Sequence, residues 1–195
     1  MPEMIYTPNM IDACLNRPEF NGYPKTKRLD DATFVISEKI DGSNGVIHVD
    51  PYTKAVTAGS RSKWLGDDGS KSWDNHGFGE WVKENTSELQ KLPAGIHYGE
   101  WYGRGINRNY GLKERKFMLF DRKKYQDLPS LPECVELETL LTPELSIWFL
   151  GRTCCEELDD LKENGSRHVP GFMKPEGIIV RFKSMGQVMK VILDK

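Results

Sequence analysis

Alternating hydrophobic and polar positions in the first third of the chain predict β-strands there. Residues Thr33–Ile40 are rich in β-branched and aromatic side chains and lead into a turn-forming run, Asp41–Gly45. A second strand is predicted over Val46–Val49, and a third over Ala55–Ala58 after a turn at Pro51–Lys54. We therefore expect a β-hairpin followed by a further strand, in the order of an antiparallel meander.

Apolar residues at helical spacing predict an amphipathic helix in the middle of the chain. Four of them fall on one face: Phe78, Trp81, Val82 and Leu89. Asp74 or Asn75 is a candidate N-cap, and Pro93 is the predicted end, because proline cannot continue a helix. We expect one continuous helix here.

A second helix is predicted to begin at Thr153, where Glu156 would complete a capping box, and to end at Gly165. Its buried face would carry Leu158 and Leu161. Further strands are expected in four segments: Ile96–Tyr102, Lys116–Asp121, Gly177–Phe182 and Gln187–Leu193. Because strands and helices do not alternate as βαβ units, the pattern predicts an α+β fold with largely antiparallel sheets.

Composition and length indicate one folded domain. The chain has 195 residues, of which 38% are hydrophobic and 29% charged, so it can bury a sizeable core. We expect residues 1–195 to form a single domain without a C-terminal accessory domain. The formal net charge is −2, so a nucleic-acid contact would need a local basic patch. No apolar run approaches the ~20 residues that span a bilayer, and we expect a cytoplasmic protein with no membrane partner.

The cysteines of the sequence do not form a recognisable zinc or disulfide pattern. Their positions are Cys14, Cys134, Cys154 and Cys155. Because none of them forms a CxxC pair, we expect free thiols.

One lysine lies where a strand meets a tight turn. Strand alternation puts Lys39 on the face opposite Phe34, Ile36 and Glu38, immediately before the turn Asp41-Gly42. A lysine amine is a nucleophile only when deprotonated, and its pKa of about 10.4 in water must be lowered by its surroundings. Taken alone, the motif KxDG favours a solvated surface lysine beside a hairpin turn.

Further segments follow Lys39 in a fixed order. They are Ser60–Lys63, Tyr98–Gly103, Lys116–Asp121, Pro175–Val180 and Met189–Ile192. Together with Glu38–Asn44 (EKIDGSN) these segments resemble the motifs of the covalent nucleotidyltransferases, a superfamily of ATP-dependent RNA and DNA ligases and mRNA capping enzymes. The forms EKIDGSN and GEWYG are most similar to those of RNA ligases.

The resemblance implies a ligase-type nucleotidyltransferase domain, with largely antiparallel sheets flanked by helices, that joins 5′-phosphate and 3′-hydroxyl ends of RNA. Its cofactors would be ATP, with AMP covalently attached to Lys39, and Mg²⁺ or Mn²⁺ held by Glu176 and Asp41. The catalytic residues it implies are Lys39, Asp41, Glu176 and Lys190. The nucleotide-binding residues it implies are Glu38, Lys39, Ile40, Asn44, Arg61, Glu100, Phe120, Glu176 and Lys190.

These residue types suit attack on an α-phosphate. Phosphoryl transfer requires positioning and the neutralisation of negative charge, which Arg61, Lys190 and a divalent ion can provide. Phe120 would stack on the adenine, with Phe117 as the alternative. Glu100 would accept a hydrogen bond from a ribose hydroxyl, and Glu38 would read the adenine edge.

One position differs from the family pattern, and the role of one group of basic residues is left open. Ile192 occupies a position where ligases usually have a second lysine, and we expect Lys183 or Lys174 to supply the missing charge. Basic residues near the aromatic strand are either a phosphate-binding surface or a solvated face: Lys113, Arg115, Lys116, Arg122, Lys123 and Lys124. The alternatives to an RNA ligase are a DNA ligase, a GTP-dependent capping guanylyltransferase and a catalytically impaired nucleic-acid-binding relative. An accessory domain or partner chain is also left open.

Overall fold

The structure, a computed structural model, describes residues 22–66 and 74–193. Its strands are β1 (Thr33–Lys39), β2 (Ser43–Val49), β3 (Val56–Gly59), β4 (Gly95–Gly103), β5 (Arg115–Leu119), β6 (Val135–Leu137), β7 (Leu145–Ser146), β8 (Gly177–Phe182) and β9 (Gln187–Ile192). Its α-helices are α1 (Phe78–Glu84), α2 (Thr86–Leu89) and α3 (Leu150–Asn164).

The described strands form two sheets. Sheet A has the order β7-β1-β8-β9, and sheet B has the order β3-β2-β4-β5-β6. Every pair is antiparallel except β5–β6, which is parallel. The predicted α+β class with largely antiparallel sheets is confirmed, and the two terminal strands agree with the structure to within one residue.

The predicted hairpin at the start of the chain is wrong. β1 belongs to sheet A, where Lys39 pairs with Gly177, whereas β2 pairs with β4 in sheet B. The local Asp-Gly turn signal is overridden because β2 buries Ile47 and Val49 in the core of the other sheet. Residues 40–42 therefore carry the chain from one sheet to the other, directly after Lys39.

The predicted central helix is interrupted. Asn85 separates α1 from α2, and its side-chain amide donates to the carbonyl of Trp81 at 2.8 Å. An asparagine that bonds to nearby backbone in this way competes with continued helix formation. The buried face was predicted correctly in large part, because Phe78, Val82 and Leu89 are almost completely buried.

The last helix begins three residues before the predicted start. Thr153 lies within α3, and its hydroxyl donates to the carbonyl of Phe149 at 2.9 Å, while Glu156 pairs with Arg152. The predicted capping box is therefore wrong, since Thr153 bonds to the preceding turn of its own helix. The end before Gly165 is confirmed, and Leu161 is fully buried.

Aromatic packing dominates the core between sheet B and α1. The ring of Phe117 lies 4.9 Å from that of Phe78, which in turn lies 5.5 Å from Trp101.

We expect Phe117→Ala to lower the free energy of unfolding by about 3–5 kcal/mol, because it leaves a cavity in this cluster. Urea denaturation would measure the loss. The control Tyr52→Ala removes an exposed ring, and we expect it to change stability by no more than about 0.5 kcal/mol. Equal stabilities of the two variants would contradict the prediction.

Two further expectations concern cysteines and membranes. Cys134, Cys154 and Cys155 are free thiols, as predicted, whereas Cys14 lies outside the described residues. In the described ranges, no helix has both the length and the apolar character needed to cross a membrane.

Candidate active site

The two sheets enclose a cavity of about 870 Å³. Sheet A contributes residues from β1, β8 and β9, and sheet B contributes residues from β2, β4 and β5. Nine of the residues singled out from the sequence line this cavity: Glu38, Lys39, Ile40, Asp41, Asn44, Arg61, Glu100, Phe120 and Lys190. The remaining one, Glu176, bonds directly to Lys39. The structure thus brings the predicted site residues into one place.

Lys39 is held by a mostly buried ion pair. Its Nζ lies 2.5 Å from Oε2 of Glu176, and the two side chains are 17% and 13% exposed. This contact occupies the amine, so Lys39 must leave the Glu176 carboxylate before its nitrogen can attack another group.

Glu100, on β4, lines the cavity and bonds to Gly42, which precedes β2, and to Asn44 of β2. Its Oε1 accepts from the backbone N–H of Gly42 at 2.9 Å, and its Oε2 accepts from the side-chain amide of Asn44 at 3.2 Å. Burial raises the pKa of Glu100 to about 7, against the opposing effects of the Lys39 charge and the Gly42 hydrogen bond. Glu100 can therefore change charge near neutral pH, and Asn44 acts as its partner.

Asp41 is held by the loop that follows β4. Its Oδ1 accepts from Asn107 Nδ2 at 2.8 Å, and its Oδ2 pairs with Arg108 Nε at 3.2 Å. A metal ion at Asp41 would have to replace at least one of these contacts. Asn107 and Arg108 could not be predicted from the sequence, because they come from a loop with no recognisable motif.

Metal binding by Glu176 needs few other protein ligands. Within residues 22–66 and 74–193, no group of three or more His, Cys, Asp or Glu side chains is arranged to hold a metal ion. Mg²⁺ usually keeps several waters and binds one or two carboxylates together with substrate phosphates. A single carboxylate beside a cavity lined by cationic side chains therefore fits such an ion.

Glu38 lines the cavity and is held by the loop that follows α3. Its Oε2 accepts from the backbone N–H groups of Arg167 and His168 at 2.8 and 2.7 Å. The residue is almost completely buried, and its other oxygen, Oε1, has no hydrogen-bond partner among the described residues. The Oε2 contacts tie the loop after α3 to the strand that carries Lys39, and the adenine-reading role of Glu38 stays a prediction.

The two phenylalanines of the aromatic strand are divided between core and cavity. Phe117 is fully buried in the core of sheet B, whereas Phe120 lines the cavity. Phe120 also packs against a buried cluster that contains Ile40, Tyr102 and Met118. The cavity therefore has one aromatic face, on Phe120, over a firm apolar support.

Cations lie on both walls of the cavity. Arg61 and Lys190 line it with exposed side chains, as predicted. Lys124, one of the basic residues near the aromatic strand, also lines it. Arg181 lines it too and was missed, and it pairs with Glu138 at 3.1 Å. Alternation along β8 could have found Arg181, because it shares a face with Ile179.

The proposed substitutes for a second lysine lie elsewhere. Neither Lys183 nor Lys174 is among the described residues that line the cavity. Lys183 instead lies 4.0 Å from Asp121, a residue of the cavity wall. Compensation by Lys183 stays a prediction, and the position of Arg181 makes it the better-placed cation.

Several members of the predicted basic surface have internal partners. Arg115 donates to the carbonyls of Arg104 and His76, and Lys116 pairs with Glu136 at 2.7 Å. Such contacts reduce the charge that these side chains can offer to a phosphate backbone.

Two sheets that line one cavity, with Lys39 on its wall, form an α+β domain. The chain belongs to the RNA ligase family, because the family model described as RNA ligase matches residues 32–192. No curated protein sequence matches this chain significantly.

Solved structures of a Naegleria gruberi RNA ligase have a similar fold. A mutant with ATP and Mn has a TM-score of 0.59 at 19% identity, over 82% of this chain and 48% of that chain. An apo mutant has a TM-score of 0.61 at 17% identity, over 90% and 57%. The ligase with PPi has a TM-score of 0.60 at 18% identity, over 90% and 57%. This chain therefore spans about half the length of these ligases.

Proposed function

We propose that the protein is an ATP-dependent RNA ligase that acts through a lysyl-AMP intermediate on Lys39. The observation that carries this proposal is the buried Lys39–Glu176 pair in a cavity that also holds an aromatic face and several cations. Membership of the RNA ligase family supports it. Related structures contain ATP, AMP, Mn or PPi, which is consistent with the same chemistry here.

Three steps follow from this assignment. The Lys39 amine attacks the α-phosphorus of ATP, a P–N bond forms, and the bond to pyrophosphate breaks. A 5′-phosphate oxygen of the RNA then displaces Lys39 and takes the AMP. Finally, a 3′-hydroxyl attacks that 5′-phosphate, AMP leaves, and the strand is sealed.

The residues of this chain position and activate the reactants. Glu176 would bind Mg²⁺ or Mn²⁺, whose positive charge neutralises developing phosphate charge. A metal ion on Glu176 would also compete with Lys39 for the carboxylate, so that the amine is released from its contact at 2.5 Å. Arg61 and Lys190 would contact the phosphates, and Glu100 would accept from a ribose hydroxyl. We place all these groups in one adenylation domain, which includes residues 32–192.

Incubation with labelled nucleotide tests the proposal directly. We expect an acid-stable protein adduct with ATP and a divalent metal ion, but not with GTP, and sealing of an oligoribonucleotide with 5′-phosphate and 3′-hydroxyl ends. An adduct formed only from GTP would instead indicate a capping enzyme. Sealing of DNA ends alone would indicate a DNA ligase.

Phe120 is expected to provide much of the binding energy for adenine. Phe120→Ala should weaken ATP binding by about 1–3 kcal/mol, because base stacking on an aromatic ring is lost. Titration calorimetry in a Lys39→Ala background would measure binding without turnover. Phe120→Tyr keeps the ring and should bind ATP like the parent. Phe149→Ala, which removes an exposed ring outside the cavity, is the second control. Unchanged affinity in Phe120→Ala would refute the stacking role.

A further inference from the structure

A second, smaller groove opens beside the nucleotide cavity on sheet B. It has a volume of about 260 Å³ and is bounded by Trp64 and Tyr98, with Val46 and Gly59 between them. Tyr98 and Ile96 line both the groove and the cavity, so the two are continuous. Whole small-molecule ligands usually occupy about 300–1,000 Å³, so this volume suits a fragment such as one base.

The groove has two exposed aromatic side chains. Trp64 is 42% and Tyr98 is 57% exposed. Trp64 lies against Gly59, where an added Cβ would stand 3.0 Å from the indole, a tight contact. A turn closed by Ser60 and Lys63 precedes the tryptophan. The glycine thus makes room for a ring that stays accessible. An accessible, fixed aromatic ring is the usual platform for an unpaired base.

The strand register places the groove and the adenine-stacking residue on one face of sheet B. Val46 pairs with both Gly59 and Tyr98, and Phe120 donates its backbone N–H to the carbonyl of Tyr98. Trp64 lies beside β3 and Phe120 follows β5, and these strands are three spacings apart, roughly 14 Å at ~4.8 Å each. One base cannot stack on both rings, so a base on Trp64 is a different base from the adenine on Phe120.

Positive charge lies where the groove meets the cavity. Arg61 lines the cavity, Lys63 lines the groove, and both side chains are exposed. The described residues of the groove wall include no carboxylate. A strand that entered the groove would thus place its phosphates beside Arg61 and Lys63, in the direction of Lys39.

We propose that the Trp64–Tyr98 groove binds one unpaired base of the RNA strand close to the end that is being sealed. The proposal rests on the ligase function and adds a specificity to it. Because stacking uses the face of the base, the groove accepts any of the four bases but requires a base that has left its duplex partner. The groove therefore favours RNA ends with single-stranded character.

Fluorescence anisotropy with a single-stranded, 5′-phosphorylated oligoribonucleotide tests the groove. We expect Trp64→Ala to weaken binding about 5- to 150-fold, the range that the loss of one stacked base gives. Trp64→Phe should restore most of the affinity. Trp148→Ala is the matched control, because it removes an exposed tryptophan near α3, outside the groove, and should bind like the wild type. For a fully paired, blunt RNA duplex, Trp64→Ala should have no effect.

Two more readouts separate this role from others. Trp64→Ala should leave the salt dependence of binding unchanged, whereas Lys63→Ala should reduce the logarithmic salt slope by about one. Formation of the AMP adduct from ATP should be the same in Trp64→Ala as in wild type. Equal RNA binding by Trp64→Ala and Trp148→Ala would overturn the inference. Slower adduct formation in Trp64→Ala would also overturn it, because the groove would then bind the nucleotide. Absence of an adduct in the wild type would refute the ligase function while RNA binding stays measurable.

Discussion

Lys39→Ala will abolish the acid-stable AMP adduct, with a loss of about 10⁴- to 10⁶-fold, as is found when a covalent nucleophile is removed. Lys39→Arg should fail equally, because a guanidinium stays protonated and cannot attack phosphorus. Labelled ATP, a divalent metal ion and acid precipitation give the measurement. The reason is positional: the structure offers this amine to the cavity beside Glu176.

A second lysine shows whether the loss is specific. Lys162→Ala removes an exposed amine of α3 that pairs only loosely with Asp159, at 3.5 Å, and it should form the adduct at the rate of the wild type. Persistence of the adduct in Lys39→Ala would show that another residue is the nucleophile, and the assignment of the whole cavity would then fail.

Glu176→Gln will slow adduct formation by roughly 10²- to 10³-fold, which is typical when one charge-stabilising group is removed. The amide keeps the size of the side chain but loses the negative charge that binds a metal ion. The concentration of Mn²⁺ at half-maximal rate should therefore rise, and this shift is the diagnostic measurement. Glu163→Gln, in an exposed position on α3, should change neither quantity.

The two roles of Glu176 predict opposite results. If the carboxylate served only as the ion-pair partner of Lys39, its removal would free the amine and accelerate adduct formation near neutral pH. If it binds the metal ion, the rate falls and the metal requirement rises. Faster adduct formation at an unchanged metal requirement would therefore contradict the proposed metal site.

The residues that line the cavity were easier to predict from the sequence than the pairing of the strands that carry them. The order of the motifs indicated residues from Lys39 to Lys190, and the structure places them around one cavity. Alternation at the end of β5 correctly separated core from cavity, since Phe117 is buried in the core and Phe120 lines the cavity. These predictions succeeded because strand periodicity is a local property.

The errors have a common physical origin. The Asp-Gly turn after Lys39 looked like a hairpin, but pairing of β2 with β4 decides the fold, and that pairing joins residues about 50 positions apart, as Asn44 with Glu100. Arg108 and the amides that bind Glu38 likewise reach the site from distant loops. Long-range contacts of this kind leave no periodic trace in the sequence.

The passage of residues 40–42 from one sheet to the other has a mechanical consequence. The proposed nucleophile, Lys39, is in sheet A, whereas Phe120, the ring proposed to hold adenine, directly follows β5 of sheet B. The distance between them therefore depends on the spacing of the two sheets. Gly42 lies in that seam, where a methyl group would overlap the carbonyl oxygen of Trp101. Alignment of the Lys39 amine with a bound nucleotide thus depends on the spacing of the two sheets at residues 40–42, and not on the rigidity of either sheet alone.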